Sequence, residues 1–360
     1  MSRHSVRAAP RHSAEYILPL RWTSDTGLGE LVSYLEQLCT WIDVTVVDGS
    51  AGFLFERHGA LFPPSVRHLR PDPGPDPDPD PGQGAGANGK VAAVMTAVRA
   101  SDADLLVIAD DDVRYTRKSL AAVVSALDEA HVVRPQNYFA PLPWHALWDT
   151  SRTLINRCFG ADFPGTMAIR REAVLATGGY DPVLFENLEL IRTVTAAGGR
   201  ELQRPGLFVA RRPPTAHHFL RQRIRQAYDD FAQPPRLGAE LALLPLLASF
   251  VALPPRHRLA ALAGFAGTAI ALAERGRRRD GGRSVFPARA SWYAPLWAAE
   301  RAVCVWLAVA LRLSGGVRYS GSRIRVAAHS LSELRRRHQG KISPYPQTQS
   351  EHTSRSHNAA

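Results

Sequence analysis

Short apolar runs alternate with amphipathic stretches over the first part of the chain, from Glu15 to about Val133. Three apolar runs are typical of buried strands: EYIL, VTVVD and DLLVIA. Three other stretches repeat apolar residues at helical spacing: LVSYLEQLCTWI, KVAAVMTAV and SLAAVVSAL. This alternation predicts an α/β, Rossmann-like fold with a mostly parallel sheet covered by helices. Ligands in such sheets bind at the carboxyl ends of strands, where Asp48 and Asp110 stand.

The net charge of the chain limits the classes of partner that it is expected to bind. The formal net charge is +11, almost all from arginine, because Lys90, Lys118 and Lys341 are the only lysines. Such a balance favours phosphorylated substrates, an anionic membrane or nucleic acid, and nucleic acid ranks last because no recognition motif accompanies it. Three widely spaced cysteines exclude a disulfide framework and fit a reducing compartment. The first residues lack the apolar run of a signal peptide, which predicts a chain that begins in the cytoplasm.

Changes in composition divide the chain into four parts. Residues 1–14 are expected to form a flexible tail, and residues 15–235 the sheet domain. Within that domain, residues 71–88 are rich in Pro, Gly and Asp, which is typical of an exposed loop. Residues 236–315 are mostly apolar, and residues 316–360 are expected to form a basic and then disordered tail.

The apolar part, 236–315, contains three segments that are candidates for membrane helices. LGAELALLPLLASFVAL and HRLAALAGFAGTAIALAER approach the ~20 residues that span a bilayer, which predicts a membrane hairpin. The third, WYAPLWAAERAVCVWLAVALRL, holds Glu300 and Arg301 in its middle. Such a pair is costly in lipid, so this segment either crosses within a bundle or lies in the interface.

Clusters of arginine flank these apolar segments and predict their orientation. Residues 275–283 and 318–337 are both arginine-rich and should remain on the cytoplasmic side, against anionic lipid. We therefore expect attachment to the cytoplasmic membrane, with the sheet domain facing the cytoplasm. The alternative is a soluble accessory domain made of buried helices.

The segment LLVIADDDVRY places three carboxylates directly after a buried strand. In extended chain, residues i and i+2 point the same way, so Asp110 and Asp112 can face one ligand while Asp111 points elsewhere. Two hard oxygen ligands at a strand end suit Mg²⁺ or Mn²⁺, which would bind a substrate phosphate. The alternative is an acidic turn before the helix that begins near Thr116.

Asp48 and Lys90 are candidates for contacts with a nucleotide. Asp48, in VVDGS, can accept hydrogen bonds from a base or ribose, although Asp-Gly after a strand is also an ordinary turn. Lys90 opens a predicted helix, where a lysine and free amides favour an anion. A solvated lysine in the first helical turn is the alternative.

Two predicted helices in the second half supply further candidates. Glu186 and Glu189 are three residues apart, so they are expected to share a face, and either can deprotonate an acceptor hydroxyl. They can equally be N-terminal charges favoured by the helix dipole. Gln222 and Arg225 lie on a basic helix, where arginine can bind phosphate or anionic lipid.

In this order, the motifs resemble those of family-two glycosyltransferases of the GT-A fold, over residues 15–235, and the apolar helices resemble the membrane-attached members. ILPLRW resembles the opening strand, VVDGS the V-V-D-D-G-S motif, NGK the G-K step, ADDDV the D-A-D motif, PGTMAIRREAVLATGGYDP the acceptor-side segment and QRIRQ the Q-x-x-R-W motif. The resemblance implies that Pro19, Asp48, Lys90 and Asp110 bind a nucleotide sugar, that Asp110 and Asp112 hold Mg²⁺ or Mn²⁺, and that Gly165, Thr166, Gln222 and Arg225 lie beside the diphosphate and acceptor.

The chain departs from that family at the residue that should act as the base. ENLEL resembles the E-D-x-D-L segment, in which the first aspartate deprotonates the acceptor, but Asn187 stands at that position. The resemblance then implies Glu186, or otherwise Glu189, as the catalytic base. Gln226 stands where a tryptophan is expected, which also argues against a processive polysaccharide synthase.

The reaction implied by the resemblance is inverting transfer of a sugar from a nucleotide-diphosphate sugar to a hydroxyl, on a lipid-linked or glycan acceptor at the membrane. The alternatives are a nucleotidyltransferase acting on sugar phosphates and a catalytically impaired membrane scaffold with a GT-A domain. Products separate them, since a glycosyltransferase releases nucleoside diphosphate and a nucleotidyltransferase releases pyrophosphate. A scaffold would show no metal-dependent binding of nucleotide sugar.

Overall fold

The computed structural model describes residues 12–72, 89–160, 162–319 and 322–343. The predicted loop therefore lies outside the described residues from 73 to 88, as do residues 1–11 and 344–360 of the two predicted tails. The main sheet has eight strands in the order β3-β2-β1-β4-β7-β6-β8-β5. These are β1 (Ala14–Leu20), β2 (Asp43–Asp48), β3 (Val66–Leu69), β4 (Leu105–Ala109), β5 (Val113–Arg114), β6 (Val132–Phe139), β7 (Thr166–Arg170) and β8 (Glu201–Arg211).

Four of the seven strand pairings in this sheet are parallel: β1–β2, β1–β4, β2–β3 and β6–β8. The remaining three, β4–β7, β6–β7 and β5–β8, are antiparallel. The prediction of an α/β fold with a mostly parallel sheet is therefore confirmed, and this arrangement fits the GT-A expectation. Parallel pairing brings the carboxyl ends of β1, β2 and β4 to one edge of the sheet.

Helices cover both faces of the sheet. They are α1 (Leu28–Leu38), α2 (Gly52–Leu61), α3 (Gly89–Ala100), α4 (Arg117–Ser125), α5 (Trp144–Phe159), α6 (Arg171–Thr177), α7 (Glu186–Ala196), α8 (Ala216–Tyr228), α9 (Pro234–Val251), α10 (Pro255–Arg278), α11 (Ala294–Leu313) and α12 (Leu331–His338). Successive residues of a strand point to opposite faces. Accordingly Tyr16 packs with Leu35 of α1, whereas Ile17 packs with Val94 of α3 on the other face.

The three apolar C-terminal segments form the helices α9, α10 and α11. Among the described residues, one helical stretch, 288–313, is long and apolar enough to cross a membrane by length and composition, with mean hydropathy 1.4. The first two segments do not meet that criterion, and the membrane hairpin expected from them stays a prediction. Glu240 lies inside α9, and Arg258 and Glu274 bound the apolar part of α10, which leaves neither helix with ~20 apolar residues.

The charged pair in the middle of α11 is buried against protein. Arg301 is fully buried and donates to Asp230 Oδ2 at 3.0 Å. Glu300 accepts from Arg223 Nε of α8 at 3.1 Å. These contacts attach α11 to the domain that carries the sheet, and they give both charges a partner of opposite sign in the protein.

The basic part of the C-terminal segment is folded over residues 316–319 and 322–343, and the part expected to be disordered lies outside the described residues from 344. A hairpin of β9 (Val317–Tyr319) and β10 (Ser322–Ile324) is followed by α12, which packs on α7. Two apolar anchors hold this basic segment in place, since Leu334 and Ile342 are both buried. The backbone amides of Leu184 and Phe185 also donate to the carbonyls of Val326 and Ala327, at 3.1 and 2.8 Å.

Candidate functional site

A lysine joins two carboxylates at the edge of the sheet where β4 ends. Asp110 follows β4, Lys90 lies in the first turn of α3 and Glu186 begins α7. Lys90 Nζ lies 2.5 Å from Asp110 Oδ1 and 2.7 Å from Glu186 Oε1. Burial alone would lower the pKa of Lys90, but Asp110 and Glu186 raise it above its usual value, so this ammonium remains charged.

Arg211, at the end of β8, pairs with both carboxylates of the predicted metal motif. Its Nε lies 2.6 Å from Asp112 Oδ2, and Nη2 lies 3.5 Å from Asp110 Oδ2. Asp111 points elsewhere, as predicted, and accepts a hydrogen bond from the Trp22 indole. Burial raises the pKa of Asp112 to about 6, with Arg211 opposing. Burial would also raise the pKa of Asp110, but Lys90 and Arg211 hold it below its usual value.

The two carboxylates fit the divalent ion that the sequence predicts. Asp112 Oδ1 is buried and has no hydrogen-bond partner among the described residues. A buried carboxylate oxygen without a partner is costly unless a donor or cation reaches it. Together with Asp110, it offers the hard oxygen ligands that Mg²⁺ and Mn²⁺ prefer.

Gly165 lies in direct contact with Asp110. The backbone amide of Asp110 donates to the Gly165 carbonyl at 2.8 Å, and the Gly165 amide donates to Asn137 Oδ1 at 2.8 Å. The predicted location of Gly165 beside the diphosphate is thus compatible with the structure. Thr166 points away, since its hydroxyl donates to the Ile108 carbonyl at 2.8 Å and is buried. The prediction that Thr166 contacts diphosphate or acceptor is therefore corrected, because as the first residue of β7 its side chain enters the core.

Asp48 ends β2, as predicted, but it is not available to a nucleotide. Its carboxylate is fully buried and accepts from His58 Nδ1 at 2.6 Å, His68 Nε2 at 3.2 Å and the Ser50 amide at 2.8 Å. Burial would raise the pKa of Asp48, but these hydrogen bonds hold it well below its usual value. The predicted role in nucleotide binding is corrected to a structural one. Pro19 lies beside this strand in β1, and its contact with the nucleotide stays a prediction.

The two glutamates of α7 do not share a ligand. Glu186 faces Lys90, whereas Glu189 is fully buried on the side of α12. Glu189 accepts from the His329 amide at 2.8 Å and from His329 Nδ1 at 2.7 Å. Its predicted role as a base is therefore corrected, because the C-terminal segment covers that side of α7. Asn187 faces the site and donates to the Pro164 carbonyl at 3.2 Å.

A cavity of about 170 Å³ opens beside Asp110 and Glu186. Gln222 and Arg225 of α8 both line it, so the structure brings them together with Asp110 and Glu186. The arginines that line it are Arg152, Arg211, Arg225, Arg236 and Arg301. The carboxylates are Asp110, Glu186, Asp229 and Asp230, and the carboxamides are Asn156, Asn187, Gln222, Gln226 and Gln233.

Sequence reasoning missed several of these residues. Arg211 reaches Asp112 because β8 pairs antiparallel with β5, a long-range contact that no local motif signals. Asp229 and Arg236 lie shortly after the end of α8 in the sequence. The signal that could have indicated them was the acidic pair that follows this basic helix. Both positions depend on how α8 and α9 pack against α11.

No protein family model and no curated protein matches the sequence. Solved structures with similar arrangements include a mannosyltransferase from Pyrobaculum calidifontis in complex with GDP-Man and Mn²⁺, at 18% identity and TM-score 0.44, covering 82% of this chain and 87% of that one. Another is glucosyl-3-phosphoglycerate synthase from Mycobacterium tuberculosis with Mn²⁺ and UDP, at 17% identity and TM-score 0.39, covering 59% and 77%. A third is mannosyl-3-phosphoglycerate synthase from Rubrobacter xylanophilus, at 16% identity and TM-score 0.36, covering 58% of this chain and 70% of that one. At these scores the function has to be argued from the chain's own residues.

Proposed function

We propose that this chain is a metal-dependent glycosyltransferase that moves a sugar, with inversion, from a nucleotide-diphosphate sugar to a hydroxyl. The observation that carries the proposal is the group at the end of β4. There Asp110 and Asp112 stand within reach of Lys90 and Arg211, next to a polar cavity. Such a combination of carboxylates for Mg²⁺ or Mn²⁺ and cations for phosphate is what transfer from a diphosphate requires.

In this proposal each residue of the group has a separate task. A divalent ion on Asp110 and Asp112, when bound, neutralises charge that develops on the diphosphate leaving group. Lys90 and Arg225 bind and orient the diphosphate, and bidentate guanidinium contacts suit Arg225 for this. Gly165 leaves room for the Asp110 carboxylate and keeps it directed toward the donor.

The composition of the cavity supports an acceptor with many hydroxyl groups and an anionic group nearby. Carboxamides can both donate to and accept from hydroxyls, whereas arginines select phosphate or carboxylate. The sugar-phosphate head of a lipid-linked acceptor has both features, and so does a glycan that carries an acidic group. Phe163 and Phe185 lie at the same cavity and provide the apolar surface on which a sugar ring can pack.

We also propose that the chain acts at the cytoplasmic membrane, with its sheet domain facing the cytoplasm. Leucines of α9 and α10 are exposed, among them Leu246 and Leu259, the latter 71% exposed. Val251, close to the turn between these helices, is 67% exposed, and Arg256 and Arg258 follow it. An apolar tip bordered by arginines suits the interface of an anionic membrane.

A product analysis tests the proposed function. Purified full-length protein is incubated with Mn²⁺, a panel of nucleotide sugars that includes GDP-mannose and UDP-glucose, and a membrane lipid extract. We expect release of nucleoside diphosphate together with a glycosylated product. Release of pyrophosphate from sugar phosphate and nucleoside triphosphate would instead identify a nucleotidyltransferase, and the absence of any nucleotide-sugar binding would favour a scaffold.

A further inference from the structure

The usual position of the catalytic base in this chain does not hold a carboxylate. Asn187 occupies the position that the family resemblance assigns to the base, and a carboxamide is not basic enough to accept a proton near neutral pH. Glu186 is ion-paired with Lys90 at 2.7 Å. Glu189 lies on the far side of α7 in contact with His329. A carboxylate from another element that reaches the cavity is therefore the alternative to Glu186 as the base.

The other carboxylates at the cavity differ in their partners. Asp110 is held by Lys90. Asp230 is held by Arg301 at 3.0 Å and by Arg236 at 2.9 Å. Asp229 lines the same cavity, and its Oδ1 is buried without a hydrogen-bond partner among the described residues. A buried carboxylate oxygen without a hydrogen bond is unfavourable, and the hydroxyl group of a bound acceptor can donate that hydrogen bond.

We propose that Asp229 is the general base that deprotonates the acceptor hydroxyl, in place of the carboxylate that is missing at Asn187. It follows directly on α8, the helix that carries Arg225, so base and diphosphate-binding residues belong to one continuous segment. The inference rests on the proposed sugar transfer and identifies one further catalytic residue in it.

The surroundings of Asp229 suit a base near neutral pH. Burial raises the pKa of Asp229 to about 7; Arg225 opposes this, while Asp230 and Glu186 add to it, and Arg301 has a small opposing effect. These charged groups come from α8, the short helix after it, α7 and α11. A base is most effective when its pKa lies near the working pH.

In the proposed step, the acceptor O–H bond breaks and its proton moves to the Asp229 carboxylate. The acceptor oxygen forms a bond to the anomeric carbon while the bond from that carbon to the diphosphate oxygen breaks, and the electron pair leaves with the diphosphate. The proton on Asp229 is then lost to water, which restores the base.

Three variants test this role: Asp229→Asn, Asp229→Glu and, as a matched control on the surface, Asp102→Asn. Transfer is followed as nucleoside diphosphate released from GDP-mannose or UDP-glucose with Mn²⁺ and membrane lipid extract, between pH 5.5 and 8.5. Donor binding is measured separately by calorimetry. We expect Asp229→Asn to lower kcat by about 100-fold or more with donor binding unchanged. Asp229→Glu should keep part of the activity, and Asp102→Asn all of it.

The pH profile separates a base from a residue that only supports the fold. The wild-type kcat should rise as the pH passes through about 7 and level off above it, because the carboxylate form is the base. The residual rate of Asp229→Asn should lack that rise. Full activity of Asp229→Asn, an unchanged pH profile or loss of donor binding in parallel with kcat would each overturn the inference while leaving the proposed function intact. A wild-type protein that transfers no sugar from any donor would overturn both.

Discussion

The carbonyl of Gly165 accepts the backbone hydrogen bond of Asp110 at 2.8 Å, and the side-chain space that glycine leaves empty is filled by the Asp110 carboxylate. A Cβ atom at position 165 would overlap Asp110 Oδ2, and Asp110 also bonds Lys90. The loop before β7 and the end of β4 are therefore fitted to each other at the point where the donor is proposed to bind.

Gly165→Ala should displace the Asp110 carboxylate and weaken the site. We expect at least a tenfold loss of kcat/KM and weaker Mn²⁺ binding, because overpacking of a closed contact forces atoms to shift. Gly29→Ala in α1 is the control, since no atom lies within 4 Å of a Cβ there, and it should leave activity unchanged. Equal activity of the two variants in a diphosphate-release assay would show that Asp110 need not be held in this position.

Asp110→Asn and Asp112→Asn should each abolish metal-dependent turnover while the protein stays folded. Each substitution keeps the shape of the side chain but removes the charge that binds the ion, and we expect a loss of about 100-fold or more in kcat. Circular dichroism and thermal unfolding monitor the fold. Undiminished turnover in Asp112→Asn would mean that the ion, if used, binds elsewhere.

Glu189 and His329 should contribute to stability rather than to chemistry. The hydrogen bond from His329 to Glu189 raises the pKa of His329 above its usual value. The stabilisation is thus complete below about pH 6.5 and is lost as the pH rises through the folded-state pKa. We expect the Tm of the wild type to fall from pH 5.5 to pH 8.5 by more than that of His329→Gln. Glu189→Gln should have a lower Tm at pH 5.5 and a kcat close to that of the wild type.

Asp48→Asn should destabilise the protein without changing its affinity for nucleotide sugar. The carboxylate accepts three hydrogen bonds in a buried site, so removal of its charge should cost about 1–3 kcal/mol in the free energy of unfolding. Because the folded-state pKa of Asp48 is depressed, its contribution is present above about pH 4 and is lost as the pH falls below that. Denaturant unfolding at pH 7 measures the cost, and a large loss of donor affinity at unchanged stability would restore Asp48 to the binding site.

Local patterns were sufficient for β4, which Asp110 follows, for α3, whose first turn carries Lys90, and for the parallel part of the sheet. They were insufficient where a side chain's partner comes from a distant part of the chain. Asp48 looked available to a ligand because nothing in VVDGS reveals that its carboxylate is hydrogen-bonded to His58, which lies in the next helix, α2. Similarly, the arginine count of residues 318–337 did not reveal that Leu334 and Ile342 are apolar anchors, which hold the described part of the C-terminal segment against α7.

The most direct test of the central claim is calorimetric titration of GDP-mannose and UDP-glucose into the wild type and Asp112→Asn, each with and without Mn²⁺. We expect at least one nucleotide sugar to bind the wild type in a Mn²⁺-dependent manner, and Asp112→Asn to lose this dependence. Equal affinity for the donor in both proteins, with or without Mn²⁺, would contradict the assignment of Asp110 and Asp112 as the metal site of a nucleotide-sugar enzyme.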